Sequence, residues 1–308
     1  MRFILKSFYI IVLLLLFLNE SSDAAINLHY KEESDIGQPF FAVISSDKPF
    51  FKSSVKWLEK DIPLDILKFD GSYRSYALLG GAVNKVKASD YSLVFSVIIN
   101  DGDVPVYKSV DVKLKERKYP ETRLRVAHEM VNPPKSELKR IENEAKLTAK
   151  ARTKMTQKKL WQTRALAPLE KLEVTSDYGH RRIYNDIPRG HHSGVDLRAA
   201  VGTRVRSLYP GNVILTGDHY FAGKSVYIDS GNGVVVAYMH LDSIAVKTGA
   251  FVYAGDVIGR AGATGRVTGP HLHLSVFLAE QSIDPMGLFN ADFPQSIRLL
   301  KQIPLIEN

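Results

Sequence analysis

The chain contains no cysteine. Disulfides are therefore excluded, and so is a lipid-modified N-terminus built on a cysteine thiol. An exported protein of this composition must be held by packing alone. Apolar residues make up 45% of the 308 positions, enough to build a core, and the length suggests two domains or one domain with a substantial extension. The apolar run at residues 8–18 falls short of the roughly 20 residues that a membrane-spanning helix needs. The net charge is +8, but with no phosphate-cradling loop and no aromatic platform, nucleic acid is not an expected partner. From residue 166 onward there is also no long helical period; glycines punctuate short apolar runs instead.

The charged start (Arg2, Lys6), the apolar run and the small residues Ser22-Asp23-Ala24 read as a signal peptide over residues 1–25, implying export, with an uncleaved anchor as the alternative. Over 26–117, strands are expected at 40–44, 55–58, 64–69, 75–79, 91–99 and 106–114, with a hairpin loop at Asn100-Asp101-Gly102-Asp103. Their spacing suggests a small β-sandwich. Tyr119-Pro120 and Pro133-Pro134 mark a linker over 118–165. Within it a basic helix is expected from about Lys135 to Trp161, with Ser136 as N-cap. Such a helix could touch an envelope polymer or membrane surface, or could pack one face on a neighbour. The oligomeric state is not readable.

The chemistry concentrates further on. Gly269-Pro270-His271-Leu272-His273 opens the alternating run Leu272, Leu274, Val276. Successive strand side chains point to opposite faces, so His271 and His273 share one face and the leucines the other. In His192-Ser193-Gly194-Val195-Asp196, extended backbone would aim His192 and Asp196 the same way. Imidazole with carboxylate suits zinc at a catalytic site, where three protein ligands leave one position for water. In the run that ends at His240, Val234, Val236, Tyr238 and His240 fall on one strand face.

The set His192-x-x-x-Asp196, His240 and His271-x-His273 resembles the lysostaphin/LytM-type zinc endopeptidases, which cut the peptide part of peptidoglycan. Ser176-Asp177-Tyr178-Gly179-His180-Arg181 resembles that family's S-x-F/Y-G-x-R opening, and Gly202-Thr203-Arg204-Val205 its G-T-x-V. Gly211-Asn212-Val213, Gly255-Asp256-Val257-Ile258-Gly259 and Thr264-Gly265-Arg266-Val267-Thr268-Gly269 complete the likeness, which runs from about Ser176 to about Leu288. One departure is Ser230, where many relatives carry His; it touches none of the five site positions.

The resemblance implies a mainly β chain. Its parts would be an immunoglobulin-like sandwich, the helical linker, a twisted antiparallel sheet with a groove (the duplicated hybrid motif type) at 166–292, and a tail at 293–308. It implies Zn2+ held by His192, Asp196 and His273, with His240 and His271 acting on the attacking water and the developing oxyanion. The implied partner is the stem peptides of peptidoglycan, outside the cytoplasmic membrane. Relatives that lose ligands act instead as regulatory modules, but all five positions are filled here. His191 and His180 read as bystanders, and His219 as a loop residue without a partner. Asp256 and Asp284 read as turn residues. Arg181 could hold a substrate carboxylate or brace the groove wall.

Overall fold

The structure is a computed structural model and describes residues 25–306. The signal segment falls almost wholly outside them. Among the described residues no helix is long and apolar enough to cross a membrane. The chain is mainly β, with N-terminal sheets, one long helix and a large C-terminal antiparallel sheet, as the sequence led us to expect.

Alternation builds the first part. In Val106–Lys115 the buried Val110, Val112 and Leu114 alternate with exposed Asp111 and Lys113, which fixes one face on a core. Two five-stranded sheets result, and Phe40 and Trp57 meet edge to face at 5.4 Å within their core. Each such fully buried aromatic contributes about 1.5–3 kcal/mol. The run expected as one strand at 64–69 is two. Lys60–Leu64 lies in one sheet and Leu67–Phe69 in the other, so residues 65–66 turn the corner between them. Residues 301–304 return as Lys301–Pro304, pairing with Ile26–Tyr30 at the edge of the first sheet.

Phe40–Ser46 is apolar without alternation because both of its faces are covered. Phe40, Ala42 and Ile44 face the sandwich core. Phe41 and Val43 face the other way, with Leu78, into the core of the large sheet. There Phe41 stacks on Trp161 at 6.2 Å and meets Phe293 at 4.6 Å. The sandwich and the large sheet therefore share apolar packing and are not joined by the linker alone.

The helix is shorter than its composition suggests. It runs Lys135–Arg152, preceded by Pro134 with no side-chain cap, so Ser136 is not the N-cap. The following basic residues leave the helix because tertiary hydrogen bonds claim their backbone. Asn232 N donates to Thr156 O at 2.6 Å, and Leu160 N and Trp161 N both reach Ser230 O. Lys159 folds over the Trp161 ring at 4.1 Å.

The large sheet has ten strands, antiparallel throughout. At its middle lie Val195–Arg198, His271–Leu278 and Val234–Ile244, side by side. Val195, Leu197, Leu272, Leu274, Val236 and Tyr238 face the main core. On the opposite face Val235, Ala237 and Phe277 pack under Ala151 of the long helix. Only the far end of that second face stays polar, and it carries the site.

Candidate metal centre and cleft

Register places the ligand set. Asp196 pairs with His273, and Met239 pairs with His273 from the other side. Opposed residues of antiparallel strands have Cβ atoms about 4.5–5.5 Å apart, so Asp196 and His273 converge without help from a loop. His192 lies just before this row. Its backbone is held by His192 N donating to His180 O and Gly179 N donating to His192 O, both at 2.8 Å. Gly194 is required by close approach. A Cβ there would sit 2.2 Å from Leu274 O and 2.8 Å from His273 Nε2.

His240 arrives by an irregularity that the sequence did not announce. The pairs Val226–Tyr238 and Lys224–Leu241 enclose one residue on one strand and two on the other, which is a β-bulge. His240 takes φ +63° within it. The expectation that Val234, Val236, Tyr238 and His240 share a face is therefore wrong at its last member. Tyr238 enters the core and its hydroxyl accepts from Leu208 N at 2.7 Å. The extra residue then turns His240 to the other face. There its ring centre lies 4.9 Å from that of His271 and 5.9 Å from that of His273.

Three ligand atoms meet within 4.8 Å of one another, one each from His192, Asp196 and His273. His192 Nε2 is 3.1 Å from Asp196 Oδ1 and 3.0 Å from His273 Nδ1, which is itself 2.8 Å from Asp196 Oδ1. A tetrahedral ion with bonds of 2.0–2.1 Å would space its ligands by about 3.3 Å. The donor set fits such an ion. Two imidazole nitrogens and a carboxylate oxygen face one another in buried space, and one proton on His273 Nδ1 can serve only one of its two acceptors. A shared cation satisfies all three.

Each residue of this donor set is fixed from behind, as metal ligands usually are. His192 Nδ1–H donates to Asp177 O at 2.7 Å, and His273 Nε2 meets Ser275 Oγ at 2.8 Å. Arg182, buried, donates to Asp196 Oδ2 and to Ser176 Oγ, both at 2.8 Å. Burial alone would raise the Asp196 carboxyl, but hydrogen bonds from His192 and His273, and their charge, hold it well below the usual range. Burial lowers His273. It also drives His240 down to about 3, with the neighbouring His273 and His271 adding to the effect, so His240 is neutral. His240 Nδ1–H donates to Thr264 O and His271 Nδ1–H to Gly269 O, each at 2.8 Å. Both rings thus turn Nε2 toward the cleft.

Arg182 was not legible as a site residue, because adjacent arginines in sequence gave no reason to prefer it to Arg181. Arg181 is exposed and lies 3.8 Å from Glu121, outside the site. Removing the buried guanidinium would leave one Asp196 oxygen unpartnered. Arg182→Ala is expected to lower zinc affinity about 10–100-fold with the fold retained, as read by competition with a metal chelator.

The cleft above these residues measures about 200 Å³. One wall is the hairpin of Arg181–Tyr184 and Ile187–His191, to which Glu121–Leu124 of the linker adds a parallel strand. The opposite wall is the 219–223 tip with the loop 262–270. Leu124 and Val126 line the cleft, and Tyr220 Oη–H donates to Glu129 O at 3.0 Å, so the linker touches both walls. His191 lines the rim without entering the ligand set. His180 bonds Thr122. His219 is no loop residue; it ends the strand Gly211–His219, buried, with Ser225 Oγ 2.7 Å from its Nδ1. Asp256 and Asp284 cap turns, accepting from Tyr253 N and Met286 N.

A sheet-borne His-Asp-His group under a cleft is the donor set of a candidate metal centre. Residues 190–285 match the model of peptidase family M23. The chain is 38% identical over 133 residues to the peptidoglycan DD-endopeptidase ShyA of Vibrio cholerae, which covers 43% of this chain and 30% of that protein. It is 31% identical to the catalytic domain of the antimicrobial peptidase lysostaphin from Staphylococcus simulans, covering 39% of this chain and 93% of that one, with a TM-score of 0.36. A crystal structure of a Pseudomonas aeruginosa chain assigned to the same family aligns over 82% of this chain and 93% of its own, at 25% identity and a TM-score of 0.59. The match to peptidase family M23 is confined to residues 190–285. It spans only 30% of the length of the Vibrio protein.

Proposed function

We propose that this chain is an exported, zinc-dependent endopeptidase that hydrolyses the peptide cross-links of peptidoglycan. The observation that carries the reading is one arrangement. His192, Asp196 and His273 offer three converging ligand atoms, and two further imidazoles turn their Nε2 atoms toward the same space. The family and the name of the Vibrio relative supply the substrate class.

Zinc, when bound, polarises a carbonyl and lowers the pKa of water to about 7. The rest falls to the protein. His192, Asp196 and His273 hold the ion, and Asp177, Ser275 and Arg182 fix their orientation. His240 and His271 flank the attacking water and the oxygen that gains charge. A neutral imidazole can accept the water's proton at Nε2, and a ring so protonated can donate to the oxyanion. Apolar side chains of the cleft, Leu124, Val126 and Met239 among them, exclude water around the peptide.

The test is a digest of purified peptidoglycan by the full chain, with products identified by mass. The full chain is used because residues before 136 line the cleft and share the core, although they carry none of the proposed chemistry. EDTA is expected to abolish cleavage and zinc to restore it. Activity should fall on the acid side as the ligands bind protons instead of metal. Burial lowers His273, which moves its own share of that loss toward more acid pH. Full activity in a preparation shown by elemental analysis to be metal-free would refute the reading.

A further inference from the structure

The cleft lining contains three arginines, Arg182, Arg189 and Arg266, and a single carboxylate, Asp196. Arg182 is committed to Asp196. Among the described residues neither Arg189 nor Arg266 has a carboxylate partner. Arg189 donates only to a backbone carbonyl, that of Val131. Arg266 packs its guanidinium over two aromatic rings from the two walls, Tyr184 and Phe221, with 4.6 Å to each ring centre.

That packing has two consequences. It seats the guanidinium against one ring from each wall, with Tyr184 also a hydrogen-bond partner, and so limits the positions it can take. A planar fork so held is pre-organised for a carboxylate, with little rotamer entropy left to lose. It also leaves a half-buried cation without a carboxylate partner. Burial and the neighbouring Arg189 and Arg182 act against its charge, and a desolvated charge without a partner is costly. An anion entering the cleft would offset that cost.

The loop that carries Arg266 is firmly placed. Arg266 N donates to Phe221 O at 2.9 Å. Gly265 has φ +76°, and a Cβ there would lie 2.4 Å from Gly223 N, so two backbones touch. Two residues before Arg266, Thr264 O holds the His240 ring. The orphan guanidinium and the reacting side chains are thus tied to one rigid loop.

We infer that Arg266, supported by Arg189, receives a free carboxylate of the bound peptide and so selects acidic peptides over their amidated counterparts. The inference rests on the proposed reading that the cleft takes a peptide. Arg266 is here a specificity residue and does not touch the bond that is cut.

The test is calorimetric binding of alanine-based tetrapeptides to the zinc-loaded full chain. Each carries one free carboxylate at a different position and has a carboxamide counterpart. At least one acid is expected to bind about 10–100-fold more tightly than its amide, the range of a hydrogen bond to a charged group. Arg266→Gln should erase that preference and leave zinc content and affinity for the amide unchanged. Arg266→Lys should keep part of it, and Arg189→Gln should reduce it less than Arg266→Gln. A brace that only holds the walls would weaken acid and amide alike. The inference is overturned if no acid is preferred by the wild-type chain, a comparison that needs no variant to fold. It is also overturned if Arg266→Gln keeps the preference. Should the acid be preferred but no peptide or peptidoglycan be cut, the carboxylate site stands and the peptidase reading falls.

Discussion

His273→Ala is expected to lose nearly all bound zinc and all useful rate. The ring is buried, and its Nδ1 lies at the meeting point of the donor set, 3.0 Å from His192 Nε2 and 2.8 Å from Asp196 Oδ1. Without it two ligands remain, fewer than the three a catalytic zinc site keeps. Met239, its cross-strand neighbour, offers only a thioether, and His271, whose Nε2 lies 3.5 Å from Asp196 Oδ1, is tied through Nδ1 to Gly269 O. The remaining partners lose more than a ligand. Asp196 would keep Arg182 on one oxygen but lose one of the two imidazoles that hold its carboxyl low. His192→Ala should behave in the same way. The measurements are zinc per chain by elemental analysis after dialysis, initial rate on peptidoglycan, and far-ultraviolet circular dichroism to show that the sheet is intact. A folded His273→Ala chain that retains one equivalent of zinc would sink the ligand assignment.

What could be read from the residues, and what could not, divides along physical lines. The strand period alone put His271 and His273 on one face, and Leu272 and Leu274 on the other, and the structure has them so. Regular alternation likewise gave the second half of the sandwich, where Val110, Val112 and Leu114 are buried in turn. The failures come where alternation is interrupted or where a partner distant in sequence decides. The bulge at His240 adds one residue to one strand, and no residue type marks it, because the φ of +63° is held by a histidine and not a glycine. The end of the helix at Arg152 was hidden because residues 153–161 are helix-compatible in composition but are claimed by the backbone of Ser230 and Asn232. Phe41 and Val43 fell in an expected strand and Trp161 at the end of an expected helix, yet they join two parts of the chain. The cleft arginines escaped for the same reason. The motif left Arg181 open between holding a carboxylate and bracing the groove, while Arg182 and Arg266 acquire their surroundings only through tertiary contacts.

The sharpest separation of roles comes from His271→Ala and His240→Ala. Both are expected to keep one zinc per chain and to lose rate by about 10²–10⁴-fold if the ring serves as an acid–base group. If the ring serves the oxyanion, the loss should be about 10²–10³-fold. Retention of zinc follows from geometry. Neither ring belongs to the group of three converging ligand atoms, and each is held through Nδ1 by a backbone carbonyl that belongs to no ligand. The two variants should differ in stability. His271 begins a strand in ordinary extended backbone, so truncation removes only its contacts. His240 sits at positive φ, a conformation that costs a non-glycine residue of order 1–3 kcal/mol. The bulge survives because Tyr238 is anchored at Leu208 N on one side and Leu241 is buried on the other. His240→Ala keeps that strain and gives up the bond to Thr264 O, whereas His240→Gly relieves the strain. His240→Gly should therefore melt higher than His240→Ala while remaining just as inactive, which separates the loss of the ring from any loss of fold. The readings are zinc content, initial rate and melting temperature for each variant. If His271→Ala or His240→Ala came out metal-free while His273→Ala stayed metallated, ligands and flanking histidines would have to exchange places.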